Sequence, residues 1–317
     1  MADRWTAQDI PDQDGRLAVV TGANSGLGLA TARELARHGA RVVLACRSEP
    51  RGAAALTRLR EEVPGADLQL ASLDLGDLAS VGAFAEWFAS AHDGLDLLIN
   101  NAGIMAVPRA HTVDGFESQI ATNHLGPFAL TGRLLPALAA RPHARVVTVS
   151  SAVHRLGRIS LDDLNSERRY QRWRAYGRSK LANLLFTFEL QRRCAGAGLD
   201  LAAVAAHPGY AATNLQTAGK SSLLDRLYAP VGNLLLAQSA ERGAWPTLYA
   251  ATMPDVPGGS FIGPDGPGEM RGHPHYVSAR AAAHDPETAR GLWELSERLT
   301  GVRFDFAAAA TTERSAR

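Results

Sequence analysis

The sequence predicts an α/β protein: a single domain on a doubly wound parallel sheet with helices on both faces. Three observations predict it. Short apolar runs alternate with stretches of helical periodicity along most of the 317 residues. The runs are continuously apolar rather than alternating in polarity, as strands covered on both faces require. Small or polar residues cluster where the runs end, and such sheets bind their ligands at the carboxyl ends of their strands.

The elements follow in order. Leu17–Val20 is the first run; Gly22 follows it, then a helical pattern over Gly28–His38. Arg41–Cys46 is the second, followed by Arg47 and a helical pattern over Ala53–Val63. A third strand precedes Asp74, and helical spacing returns over Leu78–Ala91. Leu95–Asn100 runs into Asn100–Gly103, and Arg145–Ser150 into Ser150–Ser151. Ser179–Cys194 is helical, and Leu199–Ala206 leads to His207–Gly209. No internal repeat or linker divides the chain. Residues 1–14 read as an N-terminal extension, 15–306 as the domain, and 307–317, small and polar, as a disordered tail. The Gly- and Pro-rich Gly258–His275 reads as a loop after a last short strand.

Composition narrows the function. With 33 Lys+Arg against 32 Asp+Glu the net charge is +1, which gives no electrostatic case for nucleic acid. Two cysteines, Cys46 and Cys194, are too few for a disulfide framework and fit a reducing compartment as small buried apolar residues. The start of the chain, Met1–Arg16, lacks an apolar signal core. The apolar stretch near Leu223–Leu236 is interrupted by Asp225, Arg226, Pro230 and Gly232 and falls short of the ~20 residues a membrane span needs. A cytoplasmic protein without a membrane span is expected.

Thr21-Gly22-Ala23-Asn24-Ser25-Gly26-Leu27-Gly28 leads from the first strand into the first helix. Glycines let a backbone turn sharply and approach a pyrophosphate, and a helix N-terminus offers amide donors to the anion. The spacing is Gly-x3-Gly-x-Gly, not the standard dinucleotide fingerprint, and a plain tight connection remains the alternative. At the end of the second strand an NAD-selecting chain carries an acid for the ribose 2′-hydroxyl. Cys46 stands there, with Arg47 next to it. A guanidinium suits a 2′-phosphate, so NADP(H) is the expected cofactor unless Arg47 is an ordinary surface arginine. Asp74 either accepts a bond from the adenine amino group or caps the following turn.

Tyr176-Gly177-Arg178-Ser179-Lys180 places a phenol and an ammonium one helical turn apart. A phenol with a pKa near ~10 is a poor base at neutral pH, and a neighbouring cation favours its ionised form. The same ammonium can bond a nicotinamide ribose. Ser151 closes the fifth strand, where its hydroxyl can reach the reacting oxygen beside Tyr176. Asn123 lies in a long helical stretch, where an asparagine is locally unfavourable. Asn100-Asn101-Ala102-Gly103 ends a strand with small residues that a cofactor could approach.

In this order the glycine pattern, the Asn-Asn-Ala-Gly, the serine, the Tyr-x3-Lys and His207-Pro208-Gly209 resemble the short-chain dehydrogenase/reductase superfamily, from about Gly15 to at least Thr213. The resemblance implies a Rossmann-type fold and a catalytic set of Ser151, Tyr176, Lys180 and Asn123. Tyr176 would exchange the proton, Lys180 lower its pKa, and Asn123 position a water of the relay; Ser150 is the close alternative to Ser151. Cofactor contacts would come from Gly22, Asn24, Ser25, Gly26, Leu27, Arg47, Asp74, Leu75, Asn101, Ala102, Gly103, Tyr176 and Lys180. Pro208, Gly209 and Thr213 would meet the nicotinamide end. The family also suggests a homodimer or homotetramer through the helices carrying Asn123 and Lys180.

One departure is informative. The 24 residues Ala152–Ala175 separate Ser151 from Tyr176, roughly twice the family's usual gap. That insert, together with Ala45-Cys46-Arg47 and Gly268-Glu269-Met270, resembles the branch of retinol dehydrogenases and protochlorophyllide reductases. It implies a small hydrophobic carbonyl or alcohol substrate. Reduction of an activated C=C bond, or cofactor binding without turnover, are the rival readings. Ser221–Gln238 reads as a mobile lid or as core packing within a substrate loop at about 210–240, and Trp293 as core. Arg168, Arg169, Arg172, Arg174 and Arg178 read as a solvated face. His273 and His275 flank Pro274 without thiolate or carboxylate partners nearby, so no metal is expected.

Overall fold

Eight strands form one sheet in the order β3-β2-β1-β4-β5-β6-β7-β8. The computed structural model describes residues 4–210 and 238–316; Thr213 and the proposed lid up to residue 237 lie outside them. The strands are β1 Leu17–Thr21, β2 Arg41–Cys46, β3 Leu68–Ser72, β4 Leu97–Asn100, β5 Ala144–Val149, β6 Leu201–Ala206, β7 Phe261–Pro264 and β8 Pro274–Tyr276. All neighbours pair in parallel except β7 and β8. The principal helices are α1 Gly26–Arg37, α2 Glu49–Glu62, α3 Leu78–Ala91, α4 Gly126–Ala139, α5 Arg172–Ala197, α6 Ala240–Thr252, α7 Pro286–Thr300 and α8 Phe306–Ala316. This is the single-domain Rossmann-type arrangement the alternation predicts.

Adjacent residues of each strand feed opposite cores, which explains why the strands read as unbroken apolar runs. Val19, Val43, Leu98 and Val146 point towards α3, α4 and α5, where Phe84, Phe128, Phe186 and Trp293 gather. Val20, Leu44, Ile99 and Val147 point towards α1, α2 and α6, among Leu35, Leu59 and Leu248. Trp293 is 2% exposed and sits at the centre of the aromatic group, 5.0 Å from Phe128 and 4.5 Å from Phe304. Strand order reverses between β1 and β4, so their carboxyl ends open a crevice for a ligand.

Three expectations are corrected. Gly258–His275 is more than a loop, because β7 and β8 form an antiparallel hairpin within it and extend the sheet. The 307–317 segment is not disordered through most of its length. Asp305 accepts from the Ala308 amide at 2.9 Å, the alanines favour helix, and Ala309 and Ala310 of α8 pack into the core. Arg178 does not belong to a solvated face. Its guanidinium is partly buried and donates to the carbonyls of Asp163 and Leu164 and to Ser166 Oγ at 2.7–2.9 Å, so it ties the insert to α5.

At the N-terminus Trp5 packs edge-on against Tyr249 and its indole N–H meets Met253 Sδ at 3.2 Å, closing the extension over α6. Among the described residues no helix is long and apolar enough to cross a membrane.

Candidate active site

The site is assembled at the crevice from the ends of β1, β2, β4, β5 and β6. The turn after β1 starts with Gly22 at φ +67° and reaches α1 through Gly26 at φ +57°, a left-handed backbone that glycine adopts without strain. A Cβ on Gly22 would lie 3.0 Å from Ala102, and one on Gly28 would lie 2.5 Å from both Asn101 Nδ2 and the Gly22 carbonyl. The glycines therefore pack the first turn against the end of β4. Thr21 locks that contact: its hydroxyl accepts from the amides of Asn101 (3.0 Å) and Ala102 (2.9 Å), and its carbonyl accepts from Asn101 Nδ2 (2.8 Å). Asn24, Ser25 and Leu27 are half-buried on the rim of this cradle. Ser25 caps α1 in position but makes no side-chain capping bond, and the first-turn amides have no intrahelical acceptor. Here lies a ready anion site.

The end of β2 carries no acid. Cys46 is 1% exposed and turned inward, and its thiol accepts from the amides of Ala23 and Asn24 while burial pushes it up to about 11. Arg47 is exposed, with Nε 4.0 Å from Asp74 Oδ2. Of the two readings of Asp74, the turn cap is present in its geometry. Oδ1 caps the Gly76 amide at 2.9 Å, while Oδ2 faces Arg47 across the crevice. Leu75 is buried in the core, and a Cβ on Gly126 would lie 2.2 Å from its carbonyl, so the loop after β3 rests on the start of α4.

Asn123 occupies a break in helical geometry. Residues Ala121–Leu125 form a π stretch in which the Gly126 amide reaches back to the Ala121 carbonyl, a distortion typical of functional positions. Its side chain is fully used: Oδ1 accepts from the Ile104 amide at 2.8 Å, and Nδ2 donates to the Ile104 carbonyl and to Ser179 Oγ, both at 2.9 Å. It thus clamps the segment after Gly103 to α5. Gly103 is small for the same reason, since its Cβ would lie 3.0 Å from Asn123 Oδ1 and 3.6 Å from Lys180 Nζ.

The two serines separate clearly. Ser150 is 2% exposed and donates to the Lys180 carbonyl at 2.8 Å, a bond that seats α5 on the sheet. Ser151 is half-buried, and its hydroxyl lies on the Tyr176 side, where it favours the ionised phenol. Tyr176 is 8% exposed, and burial pushes its phenol up to about 12, opposed by Ser151. Lys180 is 4% exposed; burial pulls it down to about 8, and Nζ donates to the Val149 carbonyl at 2.9 Å. The ammonium lies 5.7 Å from the Tyr176 ring centroid. At that range, and aimed at Val149, it does not offset burial, which leaves the phenol raised rather than lowered. Outside Tyr176, Leu156 is 65% and Trp173 41% exposed, and the Trp173 ring meets Tyr176 edge-on at 6.3 Å. Trp173 therefore covers Tyr176 from the solvent side.

Pro208 and Gly209 follow β6 beside the crevice. Gly209 has φ +65° and closely approaches the Met270 carbonyl, which a Cβ would meet at 2.4 Å. Sequence reasoning gave no role to four supporting residues, Thr21, Ser179, His154 and His207, although each stands within a segment it singled out.

Residues 16–222 match the family model described as short chain dehydrogenase. The chain belongs to that family, within its retinol dehydrogenase-like branch, and is a dehydrogenase/reductase acting at a CH–OH/C=O centre. It is 41% identical to human (Homo sapiens) retinol dehydrogenase 12 over 294 residues, covering 92% of this chain and 88% of that one. Among solved structures, that of an uncharacterized protein from Mycobacterium paratuberculosis is 49% identical, with a TM-score of 0.79 over 95% of this chain and 99% of that chain. The Pseudomonas aeruginosa RhlG/NADP active-site complex is 25% identical, with a TM-score of 0.62 over 79% of this chain and 94% of that chain.

Proposed function

We propose that this protein transfers hydride between NADP(H) and the carbonyl or alcohol of a hydrophobic small molecule, with Tyr176 as the general acid/base. The observation that carries the reading is the buried phenol of Tyr176, with Ser151 beside it and the Lys180 ammonium 5.7 Å from its ring. The glycine cradle fits a dinucleotide, since side chains at Gly22 and Gly28 would close it. The exposed Arg47, with the only nearby strand-end thiol turned inward, supports NADP(H) over NAD(H). The NADP complex of RhlG is in keeping with this choice.

Gly22, Asn24, Ser25, Gly26 and Leu27 would hold the pyrophosphate, Arg47 the 2′-phosphate, and Asp74 and Leu75 the adenine side. Asn101, Ala102, Gly103, Tyr176, Lys180, Pro208, Gly209 and Thr213 would line the nicotinamide half. When bound, the nicotinamide supplies or accepts the hydride. In the carbonyl direction Tyr176, protonated at neutral pH because burial holds its pKa near 12, donates its proton to the substrate oxygen. Ser151 bonds the same oxygen and fixes its approach. Lys180, charged below about pH 8, stabilises the phenolate left behind. Asn123, which lies across Gly103 from Lys180, would position a relay water from the π stretch. Leu156 and Trp173 support an apolar substrate, in keeping with retinol dehydrogenase 12 among the relatives. The two buried free thiols suit a cytoplasmic location.

The test follows nicotinamide absorbance with NADPH and with NADH across apolar aldehydes, ketones and enones, with product analysis to separate carbonyl from C=C reduction. Turnover with NADPH that is lost in Tyr176→Phe is expected. Preference for NADH, or full activity in the tyrosine variant, would overturn the proposal.

A further inference from the structure

Behind the Ser151 segment two buried histidines join a partly exposed network that the proton chemistry does not use. His207, 0% exposed, accepts the Gly209 amide on Nδ1 at 3.2 Å, so its proton sits on Nε2 and is donated to Glu269 Oε2 at 3.0 Å. A Cβ on Gly263 would lie 2.2 Å from that Nε2, so the glycine on β7 clears the way for the bond. The other Glu269 oxygen accepts from Arg155 at 3.1 Å, in the short helical turn Ala152–Leu156 that Ser151 caps. His154, also 0% exposed, accepts the Arg280 amide on Nε2 at 3.3 Å and donates from Nδ1 to the Ser151 carbonyl at 2.7 Å. Glu269 is itself held at φ +56°, unusual for a residue with a side chain, and such strain persists only where the surroundings impose it. The next residue, Met270, accepts the Tyr210 amide at 2.7 Å.

We propose that Glu269 is a positioning residue for the cofactor: through His207 it sets the Pro208–Gly209 turn, and through Arg155 it ties that turn to the segment carrying Ser151. The nicotinamide half of the site is thereby held in register with the acid/base half. The inference rests on the NADP(H) reading above. Its chemistry is specific, since one carboxylate bridges an imidazole from one strand end and a guanidinium from another. The lowered pKa of Glu269, caused first by the His207 bond, agrees with a carboxylate ionised at neutral pH.

Binding separates this role from a merely structural one. Dissociation constants are measured for NADPH and for 2′,5′-ADP, which carries the adenine end alone, in wild type, Glu269→Ala, Glu269→Gln and Arg155→Met, with thermal melts alongside. Glu269→Ala is expected to weaken NADPH about tenfold and 2′,5′-ADP less than twofold. Glu269→Gln, which still accepts from His207, recovers most of the loss, and Arg155→Met weakens NADPH about threefold alone. Equal weakening of both ligands, or no change in either, overturns the inference. If Glu269→Ala does not fold, the Gln and Arg155 variants decide by the same split. Wild type that binds neither ligand overturns the cofactor reading and this inference with it.

Discussion

Lys180 donates to the carbonyl of Val149 at 2.9 Å, and Asn183 donates to the same oxygen at 3.1 Å. The carbonyl therefore keeps a partner without the lysine, and the ammonium is retained at a cost in stability. Its pKa is about 8 in the folded protein against an ordinary 10.5. The folded chain thus holds fewer protons than the unfolded one between those values, and stability rises with pH through that window. Lys180→Met is expected to abolish turnover while raising unfolding free energy by about 2 kcal/mol at pH 7. The gain should shrink towards pH 10.5 in urea titrations. A destabilised variant at pH 7 would contradict this account.

His124 carries a pH signature of the same sign in a lower window. It is wholly buried in the π stretch, its Nε2 lies 3.0 Å from Ser296 Oγ, and burial lowers its pKa from 6.5 to about 3. Only the unfolded chain takes up a proton as pH falls below 6.5, so stability is present above that value and drains below it. Between pH 6.5 and 5 this single group accounts for about 2 kcal/mol. His124→Leu should flatten that part of the stability profile; an unchanged slope would count against the assignment.

Ser150 and Ser151 should fail in different ways. Ser150→Ala loses a buried bond to α5 and is expected to cost about 1 kcal/mol with most activity retained. Ser151→Ala is expected to lower kcat about 100-fold with a small change in Tm. Steady-state kinetics and melting of the pair together test which hydroxyl meets the reacting oxygen.

Arg47→Glu places a second carboxylate beside Asp74, whose Oδ2 lies 4.0 Å from the arginine Nε. NADPH affinity is expected to fall at least about tenfold, a difference of about 1.4 kcal/mol, with NADH little affected. Equal loss for both dinucleotides would remove Arg47 from the 2′-phosphate site.

Most of the sheet could be read because its cause is local. Continuous apolar runs require cover on both faces, and Val19 and Val20 do face the two separate cores. The strand β3, with its mixed Leu68-Gln69-Leu70-Ala71-Ser72, was located only by the residue that follows it. The β7–β8 hairpin was hidden in Gly- and Pro-rich sequence, where local propensity favours a loop and pairing with β6 prevails. In α8, small and polar residues read as a disordered tail, although Asp305 supplies the cap and the core supplies the burial.

The sequence by itself determined the class of fold and the family. Glycine spacing, the Tyr-x3-Lys interval and strand-end placement are properties of short segments. Tertiary structure alone decided that Ser150 is taken up by the Lys180 carbonyl, and that burial rather than the nearby ammonium governs the phenol. It alone joined Glu269 to His207 across 62 positions of chain. Desolvation and long-range hydrogen bonds depend on what the folded chain packs around a residue, and no local pattern encodes that neighbourhood.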